Sequence, residues 1–264
     1  MKILGLHGKG CSGAILKQQT TTLRAHLADL NAEYDFPDAP FPAAPFAGIE
    51  RVFSPPYYEF WAKDSLQTIH DSCEWLHNYI ARNGPYDAVI SFSQGGTLIA
   101  SDLLLHQAKT LPAPPPFKAA IFFSAGPPLT IMDSLGFDVP EDSWQRDRVS
   151  RLQLAAQGTG SRGSGQGRRH DPWVGPSLRD NEITEQELHD DIAGPYCISI
   201  PTVHFYGVQD PRLEVAVELA GLCEAAKRRT YTHSGGHEVP FNAVSCKEAA
   251  DLVRGVLYEV SLVD

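Results

Sequence analysis

The sequence predicts an α/β protein, a mostly parallel central sheet flanked by helices and interrupted by one inserted segment. Short apolar runs alternate with stretches of helical periodicity along the chain, the pattern of strands whose connections return as helices over the sheet faces. Between Pro127 and Pro195 that alternation lapses, so residues from about 130 to 190 read as an insertion at the sheet's carboxyl edge, a candidate lid. At 264 residues the chain is read as a single domain, 1–264, carrying that lid.

Ile3 opens the first strand, 3–6, which runs into the glycine-rich turn His7-Gly8-Lys9-Gly10-Cys11-Ser12-Gly13. Leu16, Leu23, Leu27 and Leu30 then mark one face of a helix. A second helix has Leu66, Ile69, Cys73, Leu76 and Ile80 on its face behind Asp64-Ser65-Leu66-Gln67, a capping-box-like start, and stops at Asn83-Gly84-Pro85. Strands are expected over 88–92, 119–123 and 198–206, a helix over 97–105, and a short strand near 229–232. Leu252, Val253, Val256, Leu257 and Val260 share a face of the last helix. Within the insertion, 152–156 and 183–188 read as short helices, and 158–169, almost without apolar side chains, as a mobile surface loop.

Composition narrows the function classes. A net charge of −10 argues against a nucleic-acid groove or an anionic membrane surface as the main partner. The five cysteines, Cys11, Cys73, Cys197, Cys223 and Cys246, are too far apart in sequence for a local zinc knuckle or CxxC pair and fit a reducing compartment. No apolar run reaches the length of about 18 residues that spans a bilayer, and a strand-like run follows Met1 in place of a signal segment. The expectation is a cytoplasmic protein with a small-molecule partner, no nucleic acid and no membrane.

Two sites compete for the chemistry. Ser91-Phe92-Ser93-Gln94-Gly95-Gly96 lies between a strand and a helix, where a serine occupies a strained elbow with its hydroxyl exposed. Small residues two before and two after it let strand and helix approach; Gly95 meets this requirement, and Ser91 stands where glycine is usual. A base and an acid must follow in the order Ser, acid, His. Asp210 falls after the strand ending near Tyr206, and of the two histidines beyond it, His233 and His237, the glycine-flanked His237 lies on the loop and is the better base. Asp191 and Glu214 are fallback acids. The backbone N–H groups of Gln94 and Lys9 would hold the developing oxyanion. Tyr58 and Trp61, from the aromatic cluster after Pro55-Pro56, are candidate substrate-binding residues. Cys11 reads as a small buried residue rather than a nucleophile.

The alternative uses the first turn as Gly8-x-Gly10-x-x-Gly13, with Asp35 near the place of a ribose-binding acid, and implies an NAD(P)-binding oxidoreductase. Against it, His7 occupies the last strand position, and no tyrosine has a lysine four residues later. That reading also leaves Ser93, Asp210 and His237 unexplained.

Taken together, Leu6 to Gly13, the Pro-Pro-aromatic stretch from Pro55 to Trp61, Gly84-Pro85-Tyr86-Asp87 leading into Phe92-Ser93-Gln94-Gly95, Gly207-Val208-Gln209-Asp210, and Gly235-Gly236-His237-Glu238-Val239-Pro240 form one set. They resemble the FSH-type serine hydrolases of the α/β-hydrolase superfamily over almost the whole chain apart from about residues 130 to 190. The resemblance implies an α/β-hydrolase fold with a lid, a triad of Ser93, Asp210 and His237, and no metal or cofactor. It further implies an esterase or thioesterase acting on a small-molecule acyl ester or thioester. Fungal members of the group release polyketide chains from the acyl carrier protein domain of a synthase.

Overall fold

The computed structural model describes residues 1–109, 114–159 and 183–261. In chain order its strands are β1 (Lys2–Leu6), β2 (Glu33–Asp35), β3 (Phe41–Pro42), β4 (Tyr58–Glu59), β5 (Ala88–Phe92), β6 (Ala119–Phe123), β7 (Thr202–Gly207) and β8 (Arg228–His233). The helices are α1 (Gly13–Gln19), α2 (Thr21–His26), α3 (Leu66–Asn83), α4 (Gln94–Gln107), α5 (Leu129–Ser134), α6 (Glu141–Thr159), α7 (Glu185–Asp190), α8 (Leu213–Gly221) and α9 (Ala243–Ser261). Six strands form the central sheet in the order β2-β1-β5-β6-β7-β8, with every neighbouring pair parallel. β3 and β4 make a separate antiparallel ribbon.

The pleat divides the apolar runs between two layers. Leu4, Leu6, Val89, Ala120 and Phe122 pack on one face with Ile69 and Leu76 of α3 and Leu98 and Leu103 of α4. Ile3, Ile90, Ile121, Phe123, Val203 and Phe205 pack on the other with Leu16, Leu23, Leu27 and the α9 residues Ala250, Val253 and Leu257. Strands covered on both faces read as continuous apolar runs, which is why they are visible in the sequence. Because the strands are parallel, the loops after β1, β5, β7 and β8 all emerge at one edge, and Lys9, Ser93, Asp210 and His237 lie on them.

Several boundaries differ from the sequence expectation. The helix marked by Leu16 to Leu30 is divided at Thr20, whose hydroxyl bonds the Leu16 carbonyl at 2.8 Å; α1, α2 and a 3₁₀ turn at Ala28–Leu30 follow one another, with the leucines still on one side. The helix expected over 97–105 begins at Gln94, since Ser93 itself is the residue before its first turn. The strand expected over 198–206 begins at Thr202; Ile198 makes an isolated bridge to Cys223. In the insertion, the short helix expected at 152–156 is the 19-residue α6. Near 183–188 stands α7, begun by a capping box between Thr184 and Glu187. The loop expected over 158–169 falls outside the described residues beyond Thr159. No helix among the described residues is long and apolar enough to cross a membrane.

Candidate active site

Ser93 joins β5 to α4 with φ 50° and ψ −117°, a left-handed conformation that a residue with a Cβ adopts only when its surroundings enforce it. Its main-chain N–H is held by the Phe123 carbonyl at 2.9 Å. Gly95 permits the turn, because a Cβ there would stand 2.5 Å from the Leu6 carbonyl oxygen and 2.7 Å from that of His7. Ser91, in the position where glycine is usual, is fully buried and donates its hydroxyl to the Ile121 carbonyl at 3.1 Å, so the extra atoms are absorbed between β5 and β6 without disturbing the elbow.

The loops after β7 and β8 are tied to each other before they reach Ser93. Val208 donates to the His233 carbonyl and Gln209 to the Gly235 carbonyl, each at 2.9 Å. That pairing sets Asp210 and His237 side by side, with Asp210 Oδ2 2.8 Å from His237 Nδ1. The opposite ring nitrogen, Nε2, lies 3.0 Å from the Ser93 hydroxyl. Phe92 and Phe46 pack beside the imidazole, with ring centroids 5.1 and 6.2 Å away. Burial opposes ionisation of Asp210, but the His237 ring, the Arg212 N–H at 2.8 Å and the Ser124 hydroxyl outweigh it and hold the carboxyl below its ordinary range.

The other residues that sequence reasoning weighed are placed elsewhere or otherwise engaged. His233 is buried at the end of β8 and accepts the Gly235 N–H on Nδ1. Asp191 pairs with Arg146 of α6 at 2.5 Å, and Glu214 lies on α8. Cys11 is buried, which pushes its thiol up to about 12. Lys9 and Gln94 both line the cavity beside Ser93, and their N–H groups have no acceptor among the described residues. The Lys9 ammonium turns aside to Glu59 at 2.7 Å.

A cavity of about 810 Å³ opens above Ser93, lined among others by Ala44, Phe46 and Ile49 and by Leu154 and Ala155 of α6. Trp61 lines it. Tyr58 does not: its side chain packs against the large apolar cluster, and only its main chain serves the site, accepting from Gly10 at 2.9 Å and donating to Cys11 at 2.7 Å. Sequence reasoning missed the second role of Gln94, whose side-chain amide accepts from Phe60 at 3.0 Å and donates to the Trp61 carbonyl at 2.8 Å, anchoring the aromatic loop to the elbow. It also missed Arg151 and Arg212, which line the cavity. A position two residues after Asp210 was the available signal for Arg212.

The dinucleotide alternative finds no support. The N-terminus of α1, where a pyrophosphate would sit, is taken by the Asp38 carboxylate on the Gly13 N–H at 2.9 Å. Asp35, the would-be ribose ligand, accepts hydrogen bonds from the phenols of Tyr79 and Tyr86. His7 is buried and accepts the Ala39 N–H at 2.9 Å.

Known proteins share this chain's sequence family and fold. Residues 1–249 match the family described as Serine hydrolase (FSH1). Esterase FPY3 of Fusarium mangiferae is 30% identical over 262 residues, covering 97% of this chain and 95% of that protein. Esterase alnB of Emericella nidulans is 30% identical over 269 residues, covering 94% and 93% respectively. Among solved structures, the Bacillus cereus carboxylesterase shares the fold with a TM-score of 0.52 at 12% identity, covering 96% of this chain and 87% of that one.

Proposed function

Because the chain belongs to the FSH1 serine hydrolase family and is a hydrolytic enzyme of esterase type, we propose that it cleaves acyl esters or thioesters through a covalent acyl-Ser93. The carrying observation is the unbroken hydrogen-bond line from Ser93 through His237 to Asp210, opening on a cavity large enough for an extended acyl chain.

The Ser93 oxygen attacks the acyl carbonyl while its proton passes to His237 Nε2. The tetrahedral oxyanion is held by the N–H groups of Lys9 and Gln94, the latter at the start of α4 where the helix dipole also favours negative charge. Asp210 stabilises the imidazolium and fixes its orientation. Collapse expels the alcohol or thiol, which takes the proton from His237. A water molecule, or a hydroxyl of the acyl chain, then attacks the acyl-serine, gives its proton to His237 and releases acid or lactone, and the proton returns to the Ser93 oxygen.

Among the described residues, the cations that line the cavity are already neutralised: Lys9 by Glu59, Arg151 by Asp64 and Asp147, and Arg212 by Asp147. A substrate carboxylate would have to displace one of these partners, which favours an uncharged acyl group. We take it to be a polyketide or fatty acyl chain delivered as a thioester on an acyl carrier protein domain, with the segment from about 130 to 190 acting as the lid that excludes water. The test compares kcat/KM for an extended acyl thioester, free and carrier-bound, with that for a short nitrophenyl ester. A gain of about tenfold or more with chain length and carrier is expected; a preference for the short ester leaves a generic carboxylesterase.

A further inference from the structure

We propose that Arg212 is a positioning residue that couples the docking of α6 over the cavity to the alignment of Asp210. Its two ends serve different partners. The main-chain N–H donates to Asp210 Oδ1 at 2.8 Å, while Asp210 Oδ2 faces His237. The guanidinium reaches α6, where Nη2 meets Asp147 Oδ1 at 2.9 Å and Nη1 meets the Ser150 hydroxyl at 3.1 Å. Arg212, Asp147 and Ser150 are all buried.

The guanidinium's path is built into the fold. It crosses Gly126, where a Cβ would stand 2.8 Å from Nη2, and Gly126 is held in turn by the Thr97 hydroxyl on its carbonyl at 3.1 Å. From Asp147 the ionic line continues. Its second oxygen takes Arg151 Nε at 2.8 Å, Arg151 reaches Asp64 at 2.8 Å, and Asp64 accepts the indole N–H of Trp61. Trp61 is held by Gln94, the residue after the nucleophile. A continuous line of polar contacts therefore runs from the acid, through α6, to the elbow.

A buried carboxylate between two arginines has one satisfied arrangement. If α6 lifts, Asp147 and Arg212 lose each other in a region where an unpaired charge is costly. Release of that guanidinium frees the segment that carries the Arg212 N–H, and with it one of the constraints on Asp210. A helix that merely covered the cavity would affect only substrates long enough to touch it. A helix coupled through Arg212 affects the turnover of every substrate.

This inference rests on the assignment of Ser93, His237 and Asp210 as the triad, and the experiment separates the two. Steady-state kinetics on nitrophenyl acetate, whose acyl group has only about two carbons' reach, are measured per active site titrated with a fluorophosphonate. Unfolded enzyme is thereby discounted. Arg212→Met, which keeps the N–H, and Asp147→Asn should each lower kcat per titrated site by at least about fivefold with KM within about twofold, and Arg212→Lys should recover part of the loss. The double variant should be no slower than the slower single one, because both break one coupling. A kcat loss below fivefold, a change confined to KM, or additive losses overturn the proposal. If Arg212→Met fails to fold, Asp147→Asn decides by the same criteria, with Arg212→Lys expected to lose less than it. Ser93→Ala on the same ester tests the triad: retained activity overturns that assignment, whereas abolished activity beside an unaffected Arg212→Met overturns only the coupling.

Discussion

The Ser93 hydroxyl lies 3.0 Å from Nε2 of His237, a residue 144 positions away in sequence. Two features hold this contact in place. The elbow keeps Ser93 in a conformation with positive φ, and the paired loops after β7 and β8 leave the imidazole one orientation between Asp210 and Phe92.

If that contact is the proton-transfer step, Ser93→Ala and His237→Ala should each lower kcat by about three orders of magnitude or more, since triad members act as a unit. Circular dichroism should stay that of the wild type. Fluorophosphonate labelling followed by peptide mapping should find Ser93; label on Ser12 or Ser234 would refute the assignment.

Asp210→Asn should slow turnover by about 10⁴, because the amide favours the wrong imidazole tautomer. Near wild-type turnover would refute Asp210 as the orienting acid. The stability effect has a defined sign. A carboxyl held below its ordinary range contributes stability above about pH 4, and that contribution disappears as pH falls through the lowered folded value. The difference in Tm between wild type and variant should therefore be present at about pH 6 and shrink towards about pH 3.

Cys11 lines the cavity but should not act as a nucleophile. With its thiol pushed up to about 12 by burial, almost none is thiolate near neutrality. Iodoacetamide at about pH 8 should alkylate the exposed Cys197 and spare Cys11, and Cys11→Ala should keep kcat within about threefold. Rapid modification of Cys11 accompanied by loss of activity would contradict this.

Away from the site, His77 on α3 meets the buried Asp102 of α4 at 2.6 Å. That hydrogen bond raises the imidazole's pKa against the opposing effect of burial. A raised histidine stabilises the fold below its unfolded value near 6.5, and the contribution is lost as pH rises through the folded one. His77→Gln should lower Tm more at about pH 5.5 than at about pH 8.5. An equal loss at both would show that the pair contributes no charge-dependent stability.

Apolar periodicity by itself determined the sheet-and-helix frame, because Leu4, Val89 and Ile121 are buried by the same hydrophobic effect wherever the chain folds. Local sequence also located the elbow: Ser93, with Gly95 two residues on, lies between a buried strand and a helix, and Asp210 and His237 follow in hydrolase order. Only the tertiary structure decided which histidine meets the serine and which acid meets that histidine. Asp191, Glu214 and His233 differ from the residues chosen by three-dimensional placement, not by residue type. Packing likewise turned the Tyr58 side chain away from the cavity while leaving Trp61 in its wall. The extent of α6 was hidden for a different reason. Its inner side is built from Ser143, Arg146, Asp147 and Ser150, held by partners on α8, on the loop before it and on α7's far end, so a buried face reads in sequence as a solvated one. Charges neutralised across distant segments leave no periodic apolar signal, and the contacts that make their burial possible exist only once the chain has folded.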